Sequence, residues 1–271
     1  MDLRGWARPM IFAVAWVIAL FLLLPGLVTI PVAFNDSRFI ALPQGAWSPR
    51  HFETLFTSAP WLSSIADSLG VALASTVLAV CLGTACAVGL WRVRPWLAGL
   101  VGAIMLAPMI FPPIVSALAL YRAWVAIGLY DTWAGVVLAH TILAIPYVII
   151  AVTTSLSMLD ARLEQAARSL GATPLRTMID VILPNIRTGV ATAAVFAFVV
   201  SWDEIVVTMF VSSRAVYTLP RRMWDGIRES VDPTVAAVAV AMTRVVATTT
   251  VTTTWASPRM ATTTAPDTCR R

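Results

Sequence analysis

The chain contains no lysine; all 19 of its basic residues are arginine. A Walker-type phosphate loop needs its Lys, and so does Schiff-base catalysis, so this chain carries out neither. Charge of either sign is scarce, at 12% of the 271 residues, against roughly a quarter in a soluble globular domain. Cysteine and histidine are rarer still. Cys81 and Cys86 stand within an apolar run and Cys269 near the end, which is neither a zinc spacing nor a disulfide framework. Small buried hydrophobes are the expected reading. His51 and His140 are isolated in sequence, so no metal site and no cofactor are expected. No Ser/His/Asp or Cys/His arrangement supports an enzyme.

What the chain has instead is apolar length. Hydrophobic residues make up 59% and the mean hydropathy is +0.82, which points to an integral membrane protein. Crossing ~30 Å of hydrocarbon takes about 20 apolar residues. Runs of that size lie at Met10–Phe34, Ile65–Leu90, Leu97–Val125, Trp133–Met158 and Arg187–Val211, with a weaker one at Val235–Val251. The first is longer than the ~7–15 residues of a signal-peptide core and lacks a following cleavage pattern, so a retained anchor is expected. Arginine placement orients the spans. Arg4, Arg8, Arg92, Arg94, Arg162, Arg168, Arg176 and Arg187 share one side if the N-terminus is cytoplasmic. The short turn Trp91-Arg92-Val93-Arg94-Pro95 argues most directly for that orientation.

Two places inside the spans break the apolar pattern. Pro108, Pro112 and Pro113 should divide the third span, since freed carbonyls in lipid need a neighbouring helix or a cavity. Asp203 and Glu204 follow Trp202 inside an otherwise apolar fifth helix. A charge at the bilayer centre costs roughly 2.5–3.5 kcal/mol on insertion scales. Two readings stay open: a carboxylate lining a path for a cationic solute, or a structural one, either a polar tie to another helix or an interfacial carboxylate. Asp36, Glu53, Asp131, Asp225, Glu229 and Asp232 fall on the outer side as ordinary solvated charge.

Between the fourth and fifth spans lies a polar segment with its own local logic. Leu159, Leu163, Ala166 and Leu170 recur at helical spacing and form one apolar stripe. Gly171 stands where a helix C-cap needs positive φ, Thr173 is a good N-cap, and Pro174 suits the first helical position. A second short helix runs to about Val181 and Pro184 ends it. Helices this short must pack on something, and the first could fill a groove on a soluble partner.

The segment Gln165-Ala166-Ala167-Arg168-Ser169-Leu170-Gly171, with Val181-Ile182-Leu183-Pro184 beyond it, resembles the EAA loop of ABC importer permeases. The family's motif Glu is Gln165 here, with Glu164 one residue earlier, about 100° away around a helix. Phe34-Asn35-Asp36-Ser37-Arg38-Phe39, Ser201-Trp202-Asp203-Glu204-Ile205-Val206-Val207, Leu219-Pro220 and Val231-Asp232-Pro233-Thr234 are similar to the second permease of spermidine/putrescine importers. The resemblance implies an all-α transmembrane, type I ABC importer permease fold with about six spans. It implies a coupling loop at 159–186 in which Glu164, Gln165, Ala166, Ala167, Gly171, Leu183 and Pro184 meet a cytoplasmic ATP-binding subunit dimer. A second permease subunit, an extracytoplasmic solute-binding protein and membrane lipid are the other implied partners; nucleic acid is not. The solute implied is a polyamine, with Trp202, Asp203 and Glu204 along its path; opines or amino-acid-like solutes are the alternative.

Residues 1–9 then form a cytoplasmic N-terminus of an inner-membrane, multi-pass chain, 10–251 the permease domain and 252–271 a Thr-rich tail. The tail departs from the family: Arg244 falls mid-span and Thr replaces the aliphatics. A marginal Thr-bearing span and a frameshifted C-terminus both fit that text. A stand-alone secondary transporter would require an internal repeat, and no duplicated half is visible.

Overall fold

The computed structural model describes residues 4–43, 45, 47–230 and 232–243. Among them there are helices and no strand. The described residues form two units, one of 58–225 and one that joins those before 58 to those from 226 to 243.

The larger unit is built on three mutually packed helices: α3 (Ala59–Arg92), α6 (Trp133–Ser157) and α10 (Arg187–Trp202). Small residues let them approach. A Cβ added to Gly83 on α3 would stand 2.7 Å from Val148 Cγ1 on α6, and one added to Gly189 on α10 would run into Ser155. Lipid offers no hydrophobic drive between helices, so such close van der Waals contact is what holds them. One buried cluster joins Ala79, Ala87, Val148, Val152, Leu156, Ile186, Ala193 and Ala197; a second joins Val71, Trp124, Val136, Ala139, Val207 and Val211.

The proline cluster acts as its sequence foretells. The predicted third span, Leu97–Val125, is two helices, α4 (Pro95–Ile110) and α5 (Pro113–Ile127), bent by 105° at Phe111-Pro112. Pro112 and Pro113 offer no N–H to continue the ladder, and Phe111 before them is pushed to extended φ/ψ. The predicted fifth span, Arg187–Val211, is also not one helix. It is α10 followed, after a gap, by α11 (Val206–Val211).

Between α6 and α10 run α7 (Ala161–Ser169), α8 (Pro174–Thr177), a π-helical turn at Met178–Ile182 and α9 (Leu183–Asn185), and α12 (Leu219–Asp225) follows α11. The second of the two short helices therefore passes Val181 and ends at Asn185 rather than at Pro184. Pro184 lacks the N–H that would reach the Asp180 carbonyl and its ring crowds that carbonyl. The wider π turn makes the room: the Leu183 N–H bonds to Met178 O, five residues back.

In the smaller unit α1 (Arg4–Ala33) is apolar all round, and none of its residues from Pro9 to Pro31 is buried, as in a lipid- or partner-facing span. Its end packs Val32 and Ala33 on Ala236, Ala237 and Phe52. Phe52 belongs to α2 (Arg50–Thr57) and the two alanines to α13 (Thr234–Thr243). Residues 244–251 of the predicted sixth span, and the tail 252–271, lie outside the described residues. Among the described residues, three helices are long and apolar enough to cross a membrane, or up to five if each bent pair is one span.

Candidate functional site

The segment between α6 and α10 forms the corner its residues predict. Asp160 caps α7, its Oδ1 accepting the Arg162 N–H at 2.9 Å. At the other end the Ala172 N–H reaches Ala167 O at 3.1 Å and the Gly171 N–H reaches Arg168 O at 2.9 Å, a Schellman closure with Gly171 at φ +84°. Thr173 then starts α8, accepting the Arg176 N–H at 3.3 Å. Gly171→Val would force a β-branched residue to positive φ in open space, so its cost is backbone strain of about 1–2 kcal/mol. Gly171→Asn should be far milder, because Asn tolerates that region. Thermal melting of the two purified variants checks the order.

Leu159, at the start of the apolar stripe, packs against the buried core, and the rest of the stripe is laid bare. Leu163 is 43%, Leu170 90% and Leu175 70% exposed. Gln165 and Ala166 are exposed as well, Ala167 is half-buried, and Leu183 and Pro184 are exposed. Glu164 turns the other way: its Oε1 accepts from Arg92 at 3.1 Å and from Arg168 at 2.7 Å. The two neighbours therefore do different things, and Glu164 does not stand in for an outward carboxylate at Gln165.

Sequence reasoning put Asp203 and Glu204 inside a helix. The structure puts them in the gap between α10 and α11. Asp203 closes α10, and Glu204 Oε1 caps α11 by accepting the Val207 N–H at 2.8 Å. Glu204 thus caps the helix that directly follows it rather than tying to a separate one. Asp203 is exposed, with no side-chain hydrogen bond among the described residues. Trp202 stacks on Phe198 at 5.8 Å.

Beneath this break lies a feature the sequence hid. His140, isolated in the text, is 1% exposed and joins three helices. Its Nδ1 lies 2.8 Å from Ser201 Oγ on α10 and its Nε2 lies 2.8 Å from Thr208 Oγ1 on α11. Ser75 of α3 donates to Ser201 at 2.8 Å, and Thr208 donates to the Glu204 carbonyl at 3.2 Å. Each ring nitrogen thus has one hydroxyl partner, and in either tautomer a neutral imidazole donates to one hydroxyl and accepts from the other. Only a fold brings residues this distant together; no local pattern could have flagged it.

Asp131 is not ordinary solvated charge either. It sits at φ +55° between α5 and α6, and its Oδ1 accepts N–H groups from Ser213, Arg214 and Ala215 at 2.7–2.9 Å and the Ser212 hydroxyl at 3.1 Å. Those bonds, the Ala215 N–H first, hold its carboxyl down at about 2. A depressed carboxylate stabilises the fold above its unfolded pKa of about 3.9, and that contribution fades as pH falls towards 2. Asp131→Ala should lower the melting temperature more than Asp131→Asn, which keeps an acceptor and tolerates positive φ, and the wild-type advantage over Asn should shrink on acidification. Asp225 likewise has a partner, the Tyr217 hydroxyl, and burial is the main cause raising the Tyr217 phenol. Among the described residues no three His, Cys, Asp or Glu side chains converge as a metal site.

Residues 4–262 match the family described as "Binding-protein-dependent transport system inner membrane component". The chain is 31% identical over 230 residues to the putrescine transport system permease protein PotI of Escherichia coli K12, covering 81% of this chain and 80% of that one. It is 29% identical over 241 residues to the spermidine/putrescine transport system permease protein PotC of the same strain, covering 88% and 87%. A chain from the crystal structure of a bacterial ABC transporter involved in import of the acidic polysaccharide alginate superposes with a TM-score of 0.70 at 16% identity, covering 95% of this chain and 99% of that one. At that identity the likeness speaks to fold alone.

Proposed function

The chain belongs to the family of binding-protein-dependent transport system inner membrane components, and on that premise we propose that it is one of two permease subunits of an ATP-driven importer for a small polyamine. It is an inner-membrane transport subunit and not itself the catalyst. The observation that carries the proposal is the α7–α8 corner, which holds Leu163, Ala166, Leu170 and Leu175 out to solvent on a capped frame. An unpartnered apolar ridge on two short helices needs a groove to lie in. The groove we assign is that of a cytoplasmic ATP-binding subunit, which places the N-terminus on the cytoplasmic side as well.

In this reading ATP-driven closure of the ATPase dimer pulls the corner, and α10 with its broken continuation α11 changes angle around the Asp203–Ile205 gap. Asp203, exposed and unpaired among the described residues, faces the path and draws in a cation delivered by an extracytoplasmic binding protein. The polyamine assignment comes from the substrates in the names of the two relatives together with that carboxylate. Affinity purification of the tagged chain from its native membrane tests the proposal. An ATP-binding subunit and a second permease should come down with it in fixed ratio, and a chain that purifies as a lone homo-oligomer with transport activity would refute it.

A further inference from the structure

We propose that Glu164 is a positioning residue that keys the coupling helix to α3, so that movement of the α7 corner is carried along α3 to the opposite face of the unit. The inference rests on the reading of α7 as the ATPase-docking element and names how that element grips the bundle.

Among the described side chains of α7, Glu164 and Ala167 are the two that turn inward. The Glu164 side chain is only 14% exposed, and one of its oxygens takes both arginines, Arg92 from the last turn of α3 and Arg168 from the next turn of α7. Arg168 holds the carboxylate in place, at i+4 on its own helix, and Arg92 receives it across 72 residues of sequence. Beside the bridge an open hollow of about 380 Å³ is lined by Trp91, Arg92, Glu164, Gln165 and Arg168. Water reaches the pair there, yet the carboxylate remains shared.

The far end of α3 is engaged in the same way. Asp67 Oδ2 accepts the Tyr217 N–H at 3.1 Å, Ser68 Oγ accepts the Leu219 N–H at 2.7 Å, and Ser64 Oγ accepts Arg222 Nε at 2.5 Å. Arg222 also lies over Tyr217 at 4.6 Å and over Trp61 at 5.8 Å. A helix of 34 residues measures about 51 Å. One rod therefore holds the coupling corner at one end by a charged bridge and the 212–222 loop at the other by polar side chains. Covalent linkage takes the corner's motion into α10 through the π turn; the bridge adds α3 as a second route.

The test is a double-mutant cycle in the purified importer reconstituted with its ATPase and binding protein. Arg92→Gln and Glu164→Gln should each lower solute uptake per ATP hydrolysed by up to about fivefold, and the double variant should be no worse than either alone. The swap Arg92→Glu with Glu164→Arg should restore most of the ratio. An environment-sensitive label on Arg214→Cys reports the far loop: its nucleotide-dependent signal should fall in both single variants. Singles that couple normally, or effects that multiply in the double variant, would overturn the proposal. If the swap does not accumulate in membranes, the neutral pair and the label decide. Co-purification of the ATPase is read in every variant; its absence with the unmodified chain would defeat the docking reading itself, and with it this proposal.

Discussion

His140→Ala is expected to cost the folded chain about 3 kcal/mol, the largest single effect on stability among the substitutions considered. It removes the ring partners of the Ser201 and Thr208 hydroxyls, both buried, and an unpaired buried polar group costs about 1–3 kcal/mol. It also leaves a void the size of an imidazole between α6, α10 and α11, whose close packing gives little scope for collapse. For a domain of this size the expected drop in thermal midpoint is about 10 °C. Gln, which can still offer one donor and one acceptor, should recover part of it. A loss under about 2 °C for the Ala variant would mean that the hydrogen-bonded chain from Ser75 to the Glu204 carbonyl does not hold the bundle.

How that network relates to the sequence is instructive. Local rules were sufficient wherever a residue's job is set by its chain neighbours. Gly171, Thr173 and Pro174 announce a Schellman closure and a new helix, and they form one. Pro112 and Pro113 announce a break, and α4 and α5 meet there at 105°. Reading failed where the job is set by something far away in sequence. His140 has no partner within its own helix, and its role depends on Ser201 and Thr208 arriving from a broken helix. Asp131 looked like loop charge because the N–H groups it collects come from 82–84 residues further on. Glu164 and Gln165 are adjacent in text, and only the position of Arg92 tells which one turns inward.

The acids of the fifth span show the same division within a pair. An apolar run with Asp203-Glu204 in it implied a helix carrying charge. Glu204 instead ends the run, by capping α11 and taking the Thr208 hydroxyl on its carbonyl. That frees Asp203 from structural duty. Asp203→Asn should therefore lower the apparent affinity for a dication about tenfold and leave the melting temperature nearly unchanged. A charge pair a few ångströms apart is worth several kcal/mol at an effective dielectric near 20, and less where water shares the path. Glu204→Gln should do the reverse, weakening the α11 cap while sparing much of the transport. Equal kinetic defects from both substitutions would remove the distinction between them. The measurement is uptake against concentration in proteoliposomes, alongside thermal melting.

The central claim is that this chain moves a polyamine only as part of an ATP-driven assembly. Its most direct test is uptake of labelled putrescine into proteoliposomes that hold the purified assembly, with binding protein outside and ATP sealed within. Uptake should require ATP and the binding protein, and its apparent affinity should weaken when the aspartate at position 203 is replaced by Asn. Uptake by this chain alone, driven by an ion gradient and indifferent to ATP, would contradict it.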